Sequence, residues 1–201
     1  MNTTVLTRPP GRVQYFERIG KFLDPLDLER VQTAYQLSKY GHARQKRHDG
    51  SRYFDHPKEV NWIYVDELGG RSARLMICNL LHDTIEDQFL LTFNVIRRLF
   101  GPAIARDVHA ISKQESELTL EYLRRVIERG PYTTTSKLCD RLHNNRSLRG
   151  VDPEKIERTR RSTREYHLPM LIPALKRHGR PWATHAVKLE ELMEEAMTLP
   201  Y

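Results

Sequence analysis

The sequence predicts an all-α protein of about eight to ten helices. Three observations carry this. Apolar residues recur at three-and-four spacing along most of the chain. Start and stop signals punctuate them: Asp24-Pro25 and Asp152-Pro153 open helices, and Gly69-Gly70, Gly101-Pro102 and Gly130-Pro131 close them. No stretch alternates apolar and polar residues with β-branched enrichment, so strand signals are nearly absent. The expected organisation is one domain, residues 25–201, preceded by an N-terminal extension, residues 1–24.

Met1–Gly20 holds Pro9-Pro10-Gly11 and only weak periodicity, and reads as an arm. Asp24 caps the first helix, Pro25 takes its first position, and Leu28, Val31, Ala34, Tyr35 and Leu37 form its apolar stripe. That helix is expected to reach about Arg47 and to stop at Asp49-Gly50. His56 precedes a proline at the next helix start; Val60, Ile63, Tyr64 and Leu68 continue the helix until Gly69-Gly70. An apolar central helix should run from Arg71 to about Asp87. Shorter helices follow over Phe93–Leu99, Ala103–Ile111 and Leu118–Arg129, then a longer one over Thr133–Leu148. Two basic helices, about Pro153–His178 and Trp182–Met197, end the chain.

Hydrophobic content of 39% and charge of 29% fit an ordinary globular protein. No apolar run reaches bilayer length, and Met1–Pro10 lacks the apolar core of a secretory signal. The two cysteines, Cys78 and Cys139, fall in apolar helical surroundings without C-x-x-C spacing, so they read as small buried thiols in a reducing cytoplasm. Thirty-three basic against 26 acidic residues give a net charge of +7, which suits nucleic acid, a membrane surface or a polyanionic small molecule. The basic residues are spread out; the densest group, Arg158, Arg160, Arg161 and Arg164, has no interleaved aromatic residues for base stacking. Nucleic acid and membrane are therefore not expected as partners, and a homo-oligomer is compatible with the sequence.

The stretch Asn79–Asp87, N-L-L-H-D-T-I-E-D, carries the chemistry. On one helix, His82, Asp83, Glu86 and Asp87 would share an arc of about 140° at the end of an apolar segment. Burying three carboxylates with an imidazole is costly unless hydrogen bonds, cations or a metal compensate. A divalent metal with a polarised water is the economical reading, and a solvated helix face is the competing one. A second stripe, Asp140, His143, Asn144 and Ser147 at i, i+3, i+4 and i+7, consists of short ligand-type side chains and suits a pocket wall. A polar network that only ties helices together is its alternative.

Three segments, in this order and spacing, resemble the HD superfamily of metal-dependent phosphohydrolases. More narrowly, they resemble the hydrolase domain of the RelA/SpoT family, which removes the 3′-pyrophosphate from ppGpp and pppGpp. They are Tyr40–Gly50 running into Tyr53-Phe-Asp-His-Pro57, then Leu80-Leu-His-Asp-Thr-Ile-Glu-Asp87, then Lys137-Leu-Cys-Asp-Arg-Leu-His-Asn144. Phe100-Gly101 and Ile111-Ser112-Lys113 fit the connecting stretch, and the likeness spans Leu26 to Leu171.

The resemblance implies an HD-domain bundle with His56, His82, Asp83 and Asp140 as ligands of one manganese(II) ion, other divalent metals also suiting such donors. It implies that Glu86 and Asp87 position or deprotonate the attacking water. Arg47, His48, Asn144 and Ser147 would contact the guanosine substrate. His48 stands where the family often has lysine, and Ser147 where threonine is usual. Thr163–Pro169 departs from the family's aromatic order and is left outside the site. Because the chain ends at Tyr201 without a synthetase domain, a small stand-alone (p)ppGpp 3′-pyrophosphohydrolase, of the phosphoric diester hydrolase class, is expected. Two alternatives stand beside it. One is an HD phosphohydrolase on another nucleotide, as a nucleotidase or NADPH phosphatase. The other is a non-catalytic nucleotide or nucleic-acid binder, whose affinity for nucleic acid would fall steeply with salt.

Overall fold

Residues 73–81 form a helix that is apolar on every side, and such a helix has to be surrounded by others. The computed structural model describes residues 9–87 and 91–200, with only the backbone of Glu86 and Asp87. Among the described residues there are twelve α-helices, two π-helical turns and no strand longer than an isolated bridge. In chain order the first five are α1 Arg12–Gly20, α2 Pro25–Gly41, α3 Asp55–Trp62, α4 Ala73–Leu81 and α5 Thr84–Asp87. They are followed by α6 Phe93–Phe100, α7 Pro102–Ile111, α8 Thr119–Arg129 and α9 Pro131–Arg146. The last three are α10 Pro153–Ser162, α11 Leu168–Lys176 and α12 Trp182–Thr198. The π-helical turns, Ile63–Glu67 and Thr163–His167, extend α3 and join α10 to α11.

Every residue of α4 except Arg74 is buried. Helices α2, α3, α7 and α9 pack around it, and α3, α4 and α9 also touch one another pairwise. That three-way contact is where His56, His82 and Asp140 arrive from separate parts of the chain. The expected caps form: the side chains of Asp24 and Asp152 accept from backbone N–H groups at 2.9 Å.

Three stretches differ from the sequence reading. The central helix does not continue to Asp87; it ends at Leu81 and restarts at Thr84. The cause is local competition for carbonyls. His82 Nδ1 donates to Asn79 O (2.8 Å), Thr84 Oγ1 to Leu81 O (2.7 Å) and Ser112 Oγ to His82 O (3.2 Å), so side chains take acceptors that the next helical turn would use. The first helix ends at Gly41 rather than near Arg47. Residues 45–53 instead fold back as a tight loop, held by the Lys46–Arg52 bridge, by Ser51 N–H donating to Asp49 Oδ1 (2.9 Å), and by Gly50 at φ +80°.

Residues 12–20 read as an arm in sequence, but in the structure they form α1, with Tyr15 and Ile19 wholly buried. The Tyr15 ring sits among Phe16, Tyr35 and Trp62, and its hydroxyl accepts from Asn61 Nδ2. This packing is tertiary, so no local periodicity announces it.

Candidate metal centre

Helix α3 supplies His56 from its first turn, the α4–α5 break supplies His82 and Asp83, and the middle of α9 supplies Asp140. The break matters, because it turns two consecutive residues toward the same point. The two Nε2 atoms, of His56 and His82, lie 3.2 Å apart. Asp83 Oδ1 is 3.1 Å from His82 Nε2, and its Oδ2 is 3.5 Å from His56 Nε2. Asp140 Oδ1 is 3.2 Å from His56 Nε2 and 3.7 Å from His82 Nε2. The four residues expected as ligands thus converge, and three of them, His56, His82 and Asp83, have donor atoms mutually within 4.8 Å.

The carboxylates and imidazoles are also held by side chains and a carbonyl around the cluster. Tyr53 OH donates to Asp83 Oδ2 (2.8 Å), while Lys137 Nζ and Asn144 Nδ2 donate to the two oxygens of Asp140 (2.8 and 2.7 Å). His82 Nδ1 points at Asn79 O, which leaves its Nε2 for the cluster. His56 Nδ1 meets His143 Nδ1 at 2.8 Å, and His143 Nε2 meets Glu59 Oε2 at 2.6 Å. Tyr53 is itself stacked on His42, ring centroids 4.7 Å apart.

Charge follows this arrangement. Burial above all depresses the His56 imidazole, to a pKa of about 3, so it stays neutral. Burial would lower His82 too, but Asp83 and Asp140 outweigh it and hold its pKa well above the ordinary value. Burial would raise both carboxyls, yet His82 keeps Asp83 low and Lys137 keeps Asp140 low. The cluster therefore keeps two buried carboxylates ionised and concentrates positive charge at His82, between them.

A divalent cation fits this donor set. Two imidazole nitrogens and two carboxylates are borderline-to-hard ligands of the kind that hold manganese, iron or zinc. Ligand atoms around an ion with bonds of about 2.1 Å stand roughly 3.0–3.4 Å apart, close to the spacings found here. Each ligand also has a partner of its own, as metal ligands generally do.

No protein-family model matches the chain. The GTP pyrophosphokinase of Streptomyces coelicolor is 34% identical to it over 151 residues, 71% of this chain and 18% of the relative. The guanosine-3′,5′-bis(diphosphate) 3′-pyrophosphohydrolase of Aquifex aeolicus is 30% identical over 194 residues, 90% of this chain and 27% of the relative. The chain belongs to the RelA/SpoT family. It spans about a fifth to a quarter of the length of these relatives. A solved structure of a metazoan ortholog of SpoT, described as hydrolysing ppGpp, aligns with a TM-score of 0.65. That alignment covers 85% of this chain and 97% of the other at 23% identity, and shows that the fold is shared.

Beside the cluster, this RelA/SpoT chain has a cavity of about 510 Å³ whose wall includes His56 and His143. Arg47, Arg52, Lys58, Arg146 and Arg149 line the rest of it together with Asp49, Asp55, Glu59 and Glu67. Arg52 and Lys58 pair with Asp55, and Arg146 with Glu67, which among the described residues leaves Arg47 and Arg149 as its basic residues without an acidic partner there. Arg47 and Ser147 both line it, with Arg47 Nη2 donating to Ser147 Oγ at 3.1 Å. Asn144 is committed to Asp140. His48 is exposed and paired with Lys155 Nζ, away from the cavity wall. The side chains of Glu86 and Asp87 lie outside the described residues.

The sequence reading did not select three residues of this site, Tyr53, Lys137 and Glu59, and placed His143 only on a polar stripe suited to a pocket wall. All of these but Tyr53 carry a faint signal of spacing. Lys137 and His143 flank Asp140 at three residues on α9, and Glu59 follows His56 at three residues on α3, so each pair shares a helix face.

Proposed function

We propose that the chain is a metal-dependent (p)ppGpp 3′-pyrophosphohydrolase, converting ppGpp and water to GDP and pyrophosphate, and pppGpp to GTP and pyrophosphate. The observation that carries this reading is the juxtaposition of a four-donor cation site with an arginine-lined cavity, in a chain related to a named 3′-pyrophosphohydrolase. His56, His82, Asp83 and Asp140 would hold one manganese(II) ion. Such an ion, when bound, offsets phosphate charge and lowers the pKa of a coordinated water toward neutrality.

The chain's own groups have separable tasks. Arg47, set by Ser147, presents a planar cation suited to a diphosphate. Lys137 and Tyr53 hold the two carboxylates in place, and Lys137 also keeps Asp140 ionised. Glu86 and Asp87, on the short helix directly after the ligand pair, would take the proton of the attacking water. Guanosine tetra- and pentaphosphate are the partners this reading implies, and the cytoplasm is the place. Among the described residues no helix is long and apolar enough to cross a membrane.

The test is direct. Purified protein loaded with Mn²⁺ should release pyrophosphate and GDP from ppGpp in equal amounts. If ppGpp survives while a known hydrolase consumes it in the same buffer, the reading is wrong.

A further inference from the structure

Glu59 and His143 both line the cavity, and neither is a donor to the cation cluster. They form a chain that ends on one of its members. Glu59 Oε2 is 2.6 Å from His143 Nε2, and His143 Nδ1 is 2.8 Å from His56 Nδ1. His56 Nε2 then faces Asp140, Asp83 and His82.

The order of donors along this chain follows from its two ends. A carboxylate accepts and does not donate, so His143 Nε2 must carry a hydrogen. An imidazole that ligates a cation through Nε2 keeps its hydrogen on Nδ1, and the atom facing His56 Nδ1 is His143 Nδ1. In the ligating state His56 Nδ1 therefore donates, His143 Nδ1 accepts, and His56 Nε2 points bare into the cluster. The opposite order would put a bare His143 nitrogen against the Glu59 carboxylate at 2.6 Å, a contact with no hydrogen between two acceptors. Asn79 O holds the Nδ1–H of His82 in the same way, which turns its Nε2 toward the cluster.

We propose that Glu59 is a positioning residue of the cation site, setting through His143 the tautomer in which His56 offers Nε2 as a ligand. This rests on reading the cluster as a cation site. It extends that reading outward to a carboxylate about a third exposed at the cavity wall. A group in that place links the cavity to the strength with which the cation is held.

The experiment uses the whole chain and Mn²⁺ alone, by titration calorimetry on metal-free protein. Glu59→Leu removes the acceptor and should weaken Mn²⁺ binding about 10- to 100-fold, the range for loss of such an outer partner. Glu59→Gln can still accept through its amide oxygen and should stay close to wild type, a rescue that lost packing alone would not produce. Glu59→Leu binding Mn²⁺ as tightly as wild type overturns the proposal.

A second measurement needs no variant to fold. Nitrogen-15 spectra of histidine-labelled, metal-free wild type should show His56 protonated at Nδ1 and bare at Nε2, with His143 the reverse. His56 protonated at Nε2 overturns the proposal. Neither arm uses ppGpp. A wild type with these tautomers that leaves ppGpp intact would sink the proposed activity alone; a wild type that consumes ppGpp while Glu59→Leu binds normally would sink this inference alone.

Discussion

At the scale of single residues, the cluster separates binding from proton transfer. Asp83 touches both imidazole Nε2 atoms, so Asp83→Ala should abolish Mn²⁺ binding and turnover together. Glu86→Gln, if the water reading of that residue holds, should spare Mn²⁺ binding and lose rate; calorimetry beside a pyrophosphate-release assay checks both, and a fully active Glu86→Gln removes Glu86 from its role. His167 gives a prediction about pH. Burial, reinforced by the charges of Arg141 and Lys137, pushes its pKa to about 3, and its Nδ1 meets Ser162 O at 2.9 Å. The unfolded chain takes up a proton there near pH 6.5, the folded chain only near pH 3. Unfolding therefore binds the extra proton, and stability falls as pH drops through that window; above about pH 6.5 this residue contributes no slope. By pH 5.5 the loss is about 1.4 kcal/mol. His167→Gln does not titrate and should flatten that part of the acid limb in urea denaturation; an unchanged limb would mean that His167 does not control it.

At the scale of elements, adjacent glycines after the first π-helical turn do different jobs. Gly69 has φ +64° with open space around it, so its constraint is the backbone alone. Gly70 has no such φ, but a Cβ there would come within 2.1 Å of the ring of buried Tyr64, whose hydroxyl accepts a hydrogen bond from Ser72 N–H at the start of α4. Gly69→Ala should cost about 1–2 kcal/mol. Gly70→Ala should cost at least as much, about 1–3 kcal/mol or more, and it should also loosen the α4 N-terminus, visible as faster amide exchange over residues 73–76. What could be read in advance follows the same division between local and tertiary causes. Asp24, Asp152 and the Gly-Pro breaks act on their own neighbours, so helix starts and the all-α class were readable. The break at His82 depends on side chains capturing Asn79 O and Leu81 O, with Ser112 arriving from α7, and the burial of Tyr15 depends on Tyr35 and Trp62. Neither is written in a period. Motif order found His56 and Asp140, yet only the packing of α3 on α4 and α9 shows that Glu59 and His143 stand behind His56.

At the scale of the molecule, three helices distant in sequence are tied at one point by like-charged carboxylates and a shared proton on His82, an arrangement that costs stability unless a cation replaces that proton. Binding a cation to the folded state alone stabilises it by about 2.7 kcal/mol at a free concentration of 100 Kd. For a chain of this length each kcal/mol moves Tm by about 2–4 °C, so saturating Mn²⁺ should raise Tm by roughly 5–11 °C. The rise should depend on Mn²⁺ concentration and reverse with chelator. It should vanish in His82→Ala, whose own metal-free Tm should be lower, because that change leaves the Asp83 and Asp140 carboxylates without the imidazolium between them. A chain whose Tm ignores Mn²⁺, or a His82→Ala variant that shows the same rise, would mean that these four side chains close around one another and not around an ion. The catalytic reading would then lose its centre even with the fold intact.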